Sequence, residues 1–271
     1  MWKSSKGLDV AFHSLWNDKT WLPALIINGT SEKTGRRIIT SNLSIDSSLF
    51  TDAIDYFEMV KPQHDIAVST AAHNSARFPY IDAAGTLMTS QTGMTDRIVD
   101  GGYFENFGAG SIYDLLRVLS QKSSAFEKEK GREIKFFVIQ ISSDPALETE
   151  QPARDRSWQK KSPFKLSVAS DLTAPPVALF NTGGAIGYRA TELLNELVNS
   201  IGGPKEGKGH GNEYYAEFRL SDKDAAMSWV LSRKSIDAVN HESKTDANID
   251  AYNTLKEFMK VCWDSQKPCV P

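Results

Sequence analysis

Apolar positions along this chain fall into two kinds of run. Short continuous runs rich in β-branched residues predict buried strands, and longer ones repeating every three or four residues predict helices. Residues 24–28 (ALIIN) and 36–42 (RRIITSN) are of the first kind. Gly29-Thr30-Ser31 and then Gly35 punctuate a reversal between them, so the two runs predict paired strands of a buried sheet. Residues 97–100 (RIVD) predict a short strand stopped by Gly101 and Gly102, residues 134–142 (IKFFVIQIS) a fully apolar strand, and residues 213–220 (EYYAEFRL) another. Helical spacing marks residues 7–18, where Leu8, Phe12, Leu15 and Trp16 share one face. It also marks residues 65–78, rich in small side chains and ended by Pro79. Further helices are predicted over 111–121 and, roughly, over 190–200, 224–239 and 247–263.

Apolar strands alternating with helices place the chain in the α/β class, with a mainly parallel sheet covered on both faces in a three-layer α/β/α arrangement. The 271 residues suit one domain, and the polar, proline-containing stretch at about 143–165 predicts a surface loop or lid within it. Lys and Arg number 31 against 34 Asp and Glu, a formal net charge of -3 with no long like-charge block, which argues against a nucleic-acid partner. No apolar run approaches the roughly 18 residues that span a bilayer, and residues 1–6 lack the apolar stretch of a signal peptide. A cytoplasmic or membrane-peripheral protein is the expectation. Cys262 and Cys269, spaced C-x6-C, read as plain thiols or one local disulfide, and the sequons at Asn28 and Asn42 as accidental. His13, His64, His73, His210 and His241 show no metal-binding spacing, so neither a metal nor a cofactor is implied.

The sharpest candidate chemistry is residues 99–106 (VDGGYFEN), which set an acidic side chain at the C-terminal tip of a predicted strand. Ligands bind along that edge in open parallel sheets. Gly101 and Gly102 would permit backbone angles closed to other residues, turning the chain sharply and leaving the Asp100 carboxylate in a cleft. Such a carboxylate can take a proton from a nucleophile or orient the group that does. Taken alone, Asp-Gly-Gly reads first as a plain turn. Ser111 after GAG reads as a helix N-cap and Ser75 as a small packing residue, neither at the exposed apex a nucleophile needs. Residues 182–189 (TGGAIGYR) could be an oxyanion loop, but no G-x-S-x-G follows, so a structural helix is the default. Residues 202–209 (GGPKEGKG) place Gly209 where a phosphate-binding loop needs Ser or Thr, which leaves a flexible loop.

Four phrases occur in order: 22–43 (LPALIINGTSEKTGRRIITSNL), 69–87 (STAAHNSARFPYIDAAGTL), 97–111 (RIVDGGYFENFGAGS) and 227–237 (MSWVLSRKSID). Together they resemble the C-terminal portion of bacterial patatin-like phospholipase domains, in the subgroup with a DGGYFEN-type motif. The resemblance runs over nearly the whole chain and matches the family's Asp-Gly-Gly at Asp100, Gly101 and Gly102. It implies a Ser–Asp dyad, without histidine, that cleaves acyl esters of lipids, with Asp100 as the base. Beside it, Asn106 reads as a brace that hydrogen-bonds the loop backbone or equally as a simple turn residue, His73 as a cleft residue although a lone helix histidine is more often packed or at the surface, and Arg77 as paired with a carboxylate near the active edge or in a purely structural ion pair. A lipid ester is the implied substrate. Membrane-surface contact is left open, since no strongly basic or amphipathic surface helix stands out.

The chain departs from the family in having neither a glycine-rich oxyanion loop nor a G-x-S-x-G elbow before Asp100. The resemblance therefore implies a partial domain lacking its N-terminal strands, with a missing N-terminal half as partner, and a chain that alone is inactive and marginally stable. The alternative is a catalytically inert protein that keeps the fold to bind lipid or a partner.

Overall fold

The computed structural model describes residues 7–18, 21–60, 65–78, 82–88, 95–131, 134–142, 168–202, 214–220 and 232–264. The predicted loop at about 143–165, the glycine-rich stretch 203–211, residues 224–231 of the helix predicted over 224–239, and Cys269 lie outside them. The chain divides into two compact units, one of residues 1–118 and 171–190, the other of 119–170 and 191–271.

The first unit is built on a five-stranded sheet. In chain order it contains β1 (Ile26–Ser31), β2 (Arg37–Ser41), β3 (Ala53–Asp55), the short α1 (Tyr56–Met59), α2 (Val68–Ser75), β4 (Gly85–Met88) and β5 (Thr95–Asp100). Its strand order is β3-β2-β1-β5-β4. The class is α/β, as predicted, but the sheet is mainly antiparallel rather than mainly parallel: β1 runs antiparallel to both β2 and β5, and β4 to β5, while β2 and β3 alone are parallel. Link length is the physical reason. Five residues join β1 to β2 and six join β4 to β5, too few for the crossover a parallel pair needs. Gly35, at φ 68°, supplies the left-handed residue of the first link.

The adjacent residues Ile38 and Ile39 of β2 point to opposite faces and are both fully buried, so the strand is covered on both sides. Ile38 packs with Tyr56, Leu87 and Ile98, and Ile39 with Ile45, Phe50, Ala53 and, from α3 (Ala109–Lys130), Leu115. The helix predicted over 7–18 shrinks to a 3₁₀ turn, Phe12–Leu15. Its neighbours find tertiary hydrogen bonds instead: the Phe12 amide donates to Ile66 O, Val68 N to Val10 O and Ser69 N to Leu8 O. Phe12 thereby docks on Val68 and Ala71.

In the second unit β6 (Val138–Ser142) and β7 (Tyr215–Arg219) form a parallel pair. α6 (Asp246–Asp264) packs on β7, and the Asn248 amide both accepts from Arg219 N and donates to Arg219 O, each at 2.8 Å. α5 (Arg233–Glu242) begins at a Ser232 cap whose side chain accepts from Ser235 N. α4 (Val168–Gly202) contributes residues to both units. Among the described residues no helix is long and apolar enough to cross a membrane. Although β6 is apolar in sequence, Ile141 is 81% exposed. Ile39→Val should therefore cost about 0.5–1.5 kcal/mol in urea unfolding, whereas Ile141→Val should stay within about 0.5 kcal/mol of the parent.

Candidate functional site

The site begins with where β5 stops. Asp100 is its last residue and pairs with Gly29 of β1, while its amide donates to Arg77 O at 3.3 Å and its carbonyl accepts from Thr30 Oγ1 at 2.9 Å. The main chain is thus held from two sides. Beyond it Gly101–Tyr103 form one 3₁₀ turn, which Asp100 caps: Oδ1 accepts from Gly102 N at 2.7 Å. Oδ2 takes no hydrogen bond among the described residues. Burial pushes the half-buried carboxyl above its ordinary value, and the Gly102 amide pulls it part of the way back.

The glycines serve a different purpose from the one expected. Neither Gly101 nor Gly102 has a positive φ; that conformation falls instead at Gly108, just before α3. Space is what requires them. A Cβ on Gly101 would lie 2.6 Å from Asn28 O, and one on Gly102 would strike Asn106 Oδ1 and sit 3.0 Å from Asp100 Oδ1. On the far side of the turn α4 approaches through its own glycines: a Cβ on Gly183 would collide with Gly102 O, and one on Gly187 with the Phe107 ring. The stretch 182–189 is therefore helical, and its glycines form the face that carries the Asp100 turn rather than an oxyanion loop. Gly184 faces no atom within 4 Å. Gly183→Ala should cost about 1–3 kcal/mol by overpacking, while Gly184→Ala, one residue on, should gain about 0.5–1 kcal/mol by limiting the unfolded chain. Thermal unfolding of the two variants checks the opposite signs.

The other expected residues scatter. Asn106 is exposed and makes no hydrogen bond to the turn's backbone, so it is a neighbour of Gly102 and not a brace. His73 is exposed on α2 with Nε2 3.7 Å from Asp82 Oδ1, a partner other than Asp100. Among the described residues Arg77 pairs with no carboxylate; its guanidinium donates to Asn74 Oδ1 at 3.1 Å and Ala83 O at 2.7 Å, and its carbonyl accepts from Asp100 N. Ser75 is the last residue of α2. Ser111 is no N-cap, because α3 has begun two residues earlier.

Ser111 belongs instead to a buried polar network that lies behind the turn. Its hydroxyl donates to Asn28 Oδ1 at 2.8 Å and accepts from Arg37 Nη1 at 2.9 Å. Arg37 is 1% exposed and also binds Asp52 and, at 2.5 Å, Asp114 Oδ2. Its guanidinium carbon lies 5.3 Å from the centre of the Phe104 ring. Glu105 completes the group. It is 4% exposed, Oε2 accepts from Phe107 N at 3.3 Å, and Oε1 has no hydrogen-bond partner. Burial drives its carboxyl upward; the Phe107 amide and then the Arg37 charge oppose this. One signal for the network was present in the sequence: an arginine heading the strand RIITS, whose other positions are all apolar or small.

No group of His, Cys, Asp or Glu able to hold a metal occurs among the described residues. Chemically the arrangement offers one carboxylate held by a backbone amide, with its second oxygen free of hydrogen bonds among the described residues and a raised affinity for protons. No protein-family model, curated protein or solved structure matches the chain.

Proposed function

We propose that this chain supplies the base of a patatin-like Ser–Asp acyl hydrolase acting on lipid esters, the nucleophilic serine coming from another stretch of polypeptide. One observation carries it: Asp100 Oδ1 is fixed by the Gly102 amide, while Oδ2 takes no hydrogen bond among the described residues. The serine oxygen would attack the ester carbonyl as its proton passes to Oδ2. That proton then leaves with the departing alcohol, and water, deprotonated by the same carboxylate, cleaves the acyl-enzyme. The mainly antiparallel sheet lends no support to this assignment, which stands on the Asp100 turn. No serine of the described residues is hydrogen-bonded to Asp100, and the one in the buried network, Ser111, is engaged by Asn28 and Arg37.

The test is a fluorophosphonate probe applied to the 271-residue chain and to the polypeptide of its full reading frame. The chain alone should remain unlabelled. The full polypeptide should carry an upstream G-x-S-x-G, label at that serine and hydrolyse a p-nitrophenyl acyl ester. Labelling of a serine within the chain, or a full polypeptide that neither labels nor hydrolyses, overturns the assignment; the latter result would favour the inert binding protein.

A further inference from the structure

We propose that residues 104–108 (FENFG) form a proton-operated latch on the Asp100 turn: with a proton on Glu105 the segment stays closed over Arg37, and loss of that proton lets it swing out at Gly108. The latch stands on the geometry of the turn and is independent of the hydrolase assignment.

The segment is tied at its start and free to pivot at its end. Phe104 N and Glu105 N both donate to Gly101 O, at 3.0 and 3.1 Å, so these two residues close the 3₁₀ turn that Asp100 caps. At the other end Gly108, at φ 67°, leads into α3, and a Cβ there would meet no atom within 4 Å. A left-handed glycine in open space can rotate without displacing a neighbour. Asn106, between the two ends, is exposed. The side chain that holds the segment down is Glu105, 4% exposed, with Oε2 on Phe107 N at 3.3 Å.

That side chain is poorly placed to carry a charge. The cation facing it is Arg37 of β2, which already binds Asp52, from the chain before β3, and Asp114 of α3. An ionised Glu105 would be a third carboxylate on one guanidinium. Asp100, the other carboxyl of the turn, has the same sign, and α4 meets the turn through Gly183 and Gly187. Oε1 is buried without a hydrogen-bond partner, a defect that costs more on a carboxylate than on a neutral carboxyl. Burial accordingly raises the proton affinity of Glu105 against the pull of the Phe107 amide, the Arg37 charge and the Gly110 and Ala109 amides. The closed form is therefore favoured fully below the ordinary glutamate value and loses that advantage as pH rises through the raised one. Opening frees the turn whose Gly102 amide holds Asp100 Oδ1, so this carboxylate is held on the acid side of the transition and released on the alkaline side.

Amide hydrogen exchange of the 271-residue chain from about pH 4 to about pH 8, corrected for the intrinsic pH dependence of exchange, tests this. Protection of Phe104, Glu105 and Phe107 should fall with rising pH, by up to about tenfold per pH unit, and level off above the Glu105 midpoint. Glu105→Gln, which keeps the size but cannot ionise, should hold protection constant across the range, whereas Asp100→Asn should leave the fall in place. Carboxyl-carbon NMR of the parent gives the Glu105 midpoint without any variant; it should lie above 4.5 and coincide with the loss of protection. Protection that does not change with pH in the parent, the same fall in Glu105→Gln, loss of the fall in Asp100→Asn, or a Glu105 midpoint at or below 4.5 would each overturn the latch.

Discussion

Under the proposed assignment, Asp100→Asn in the polypeptide of the full reading frame should lower kcat/KM for a lipid ester by about 10²–10⁴-fold while the protein remains folded. The substitution is chosen to spare the turn. An amide oxygen can still accept from Gly102 N as Asp100 Oδ1 does, so the 3₁₀ turn stays capped, and only the ability to accept a proton at Oδ2 is lost. Stability even moves in the opposite direction. Burial raises the folded-state pKa of Asp100 above the 3.8 of a free aspartate, so between the two values the folded protein binds more protons than the unfolded one. Its contribution is therefore fully present below the unfolded pKa and is lost as pH rises through the folded one. Neutral pH leaves a half-buried charge, and Asp100→Asn removes it; the variant should unfold at an equal or higher temperature than the parent at pH 7. Parent activity should fall as pH drops through the raised Asp100 value. A variant that hydrolyses at the parent rate would remove Asp100 from the mechanism, and one that is inactive because it is unfolded would point to a purely structural cap.

Arg37→Met should cost about 3–5 kcal/mol, the largest stability effect in the first unit. Methionine fills much of the arginine's volume, so the loss is one of charge and hydrogen bonds rather than of packing. Removing the guanidinium strands Asp114, 15% exposed, and leaves the Ser111 hydroxyl without its donor; Asp52, 47% exposed, can turn to water and contributes less. Arg37 also opposes the upward shift of Glu105, so without it that carboxyl holds its proton to still higher pH. The penalty should accordingly be smaller near pH 4, below the ordinary glutamate value, where the raised Glu105 carboxyl keeps its proton, than at pH 7. Urea unfolding at the two pH values measures both statements. A loss below about 1 kcal/mol, or one that does not change with pH, would show the network to be incidental.

Much of the secondary structure was legible because it is a local property. β1 and β2 were expected as a pair and are one; β5, β6, β7, α2, α3 and α6 all fall within the runs that predicted them, or extend them. The failures have particular causes. Residues 7–18 carry a helical pattern, yet Phe12 reaches Val68 and Ala71 from a 3₁₀ turn because hydrogen bonds to Ile66, Val68 and Ser69 hold the flanking chain extended. β4 lies in no predicted strand, and only Leu87 of its four residues is buried. Over α4 the helical pattern was clear only at its C-terminal end, and 182–189 were read as helix by default, since Gly183, Gly184 and Gly187 argue against a helix by propensity. Two of those three glycines are present for what α4 touches.

Asp100 could be singled out from its own neighbourhood: a strand, an acid and two glycines in succession. The network behind it could not. Arg37 and Ser111 are 74 residues apart and Asn28 and Ser111 are 83 apart, so no spacing rule brings them together. The sequence by itself determined which stretches are strand or helix and where the acidic turn falls, since periodicity and turn chemistry act over a few residues. The pairing of β1 with β5, the crowding that makes Gly101 and Gly183 obligatory, and the burial of Arg37 and Glu105 were decided by tertiary structure alone. Each depends on which distant backbone comes within van der Waals reach, and that distance is a property of the packed chain.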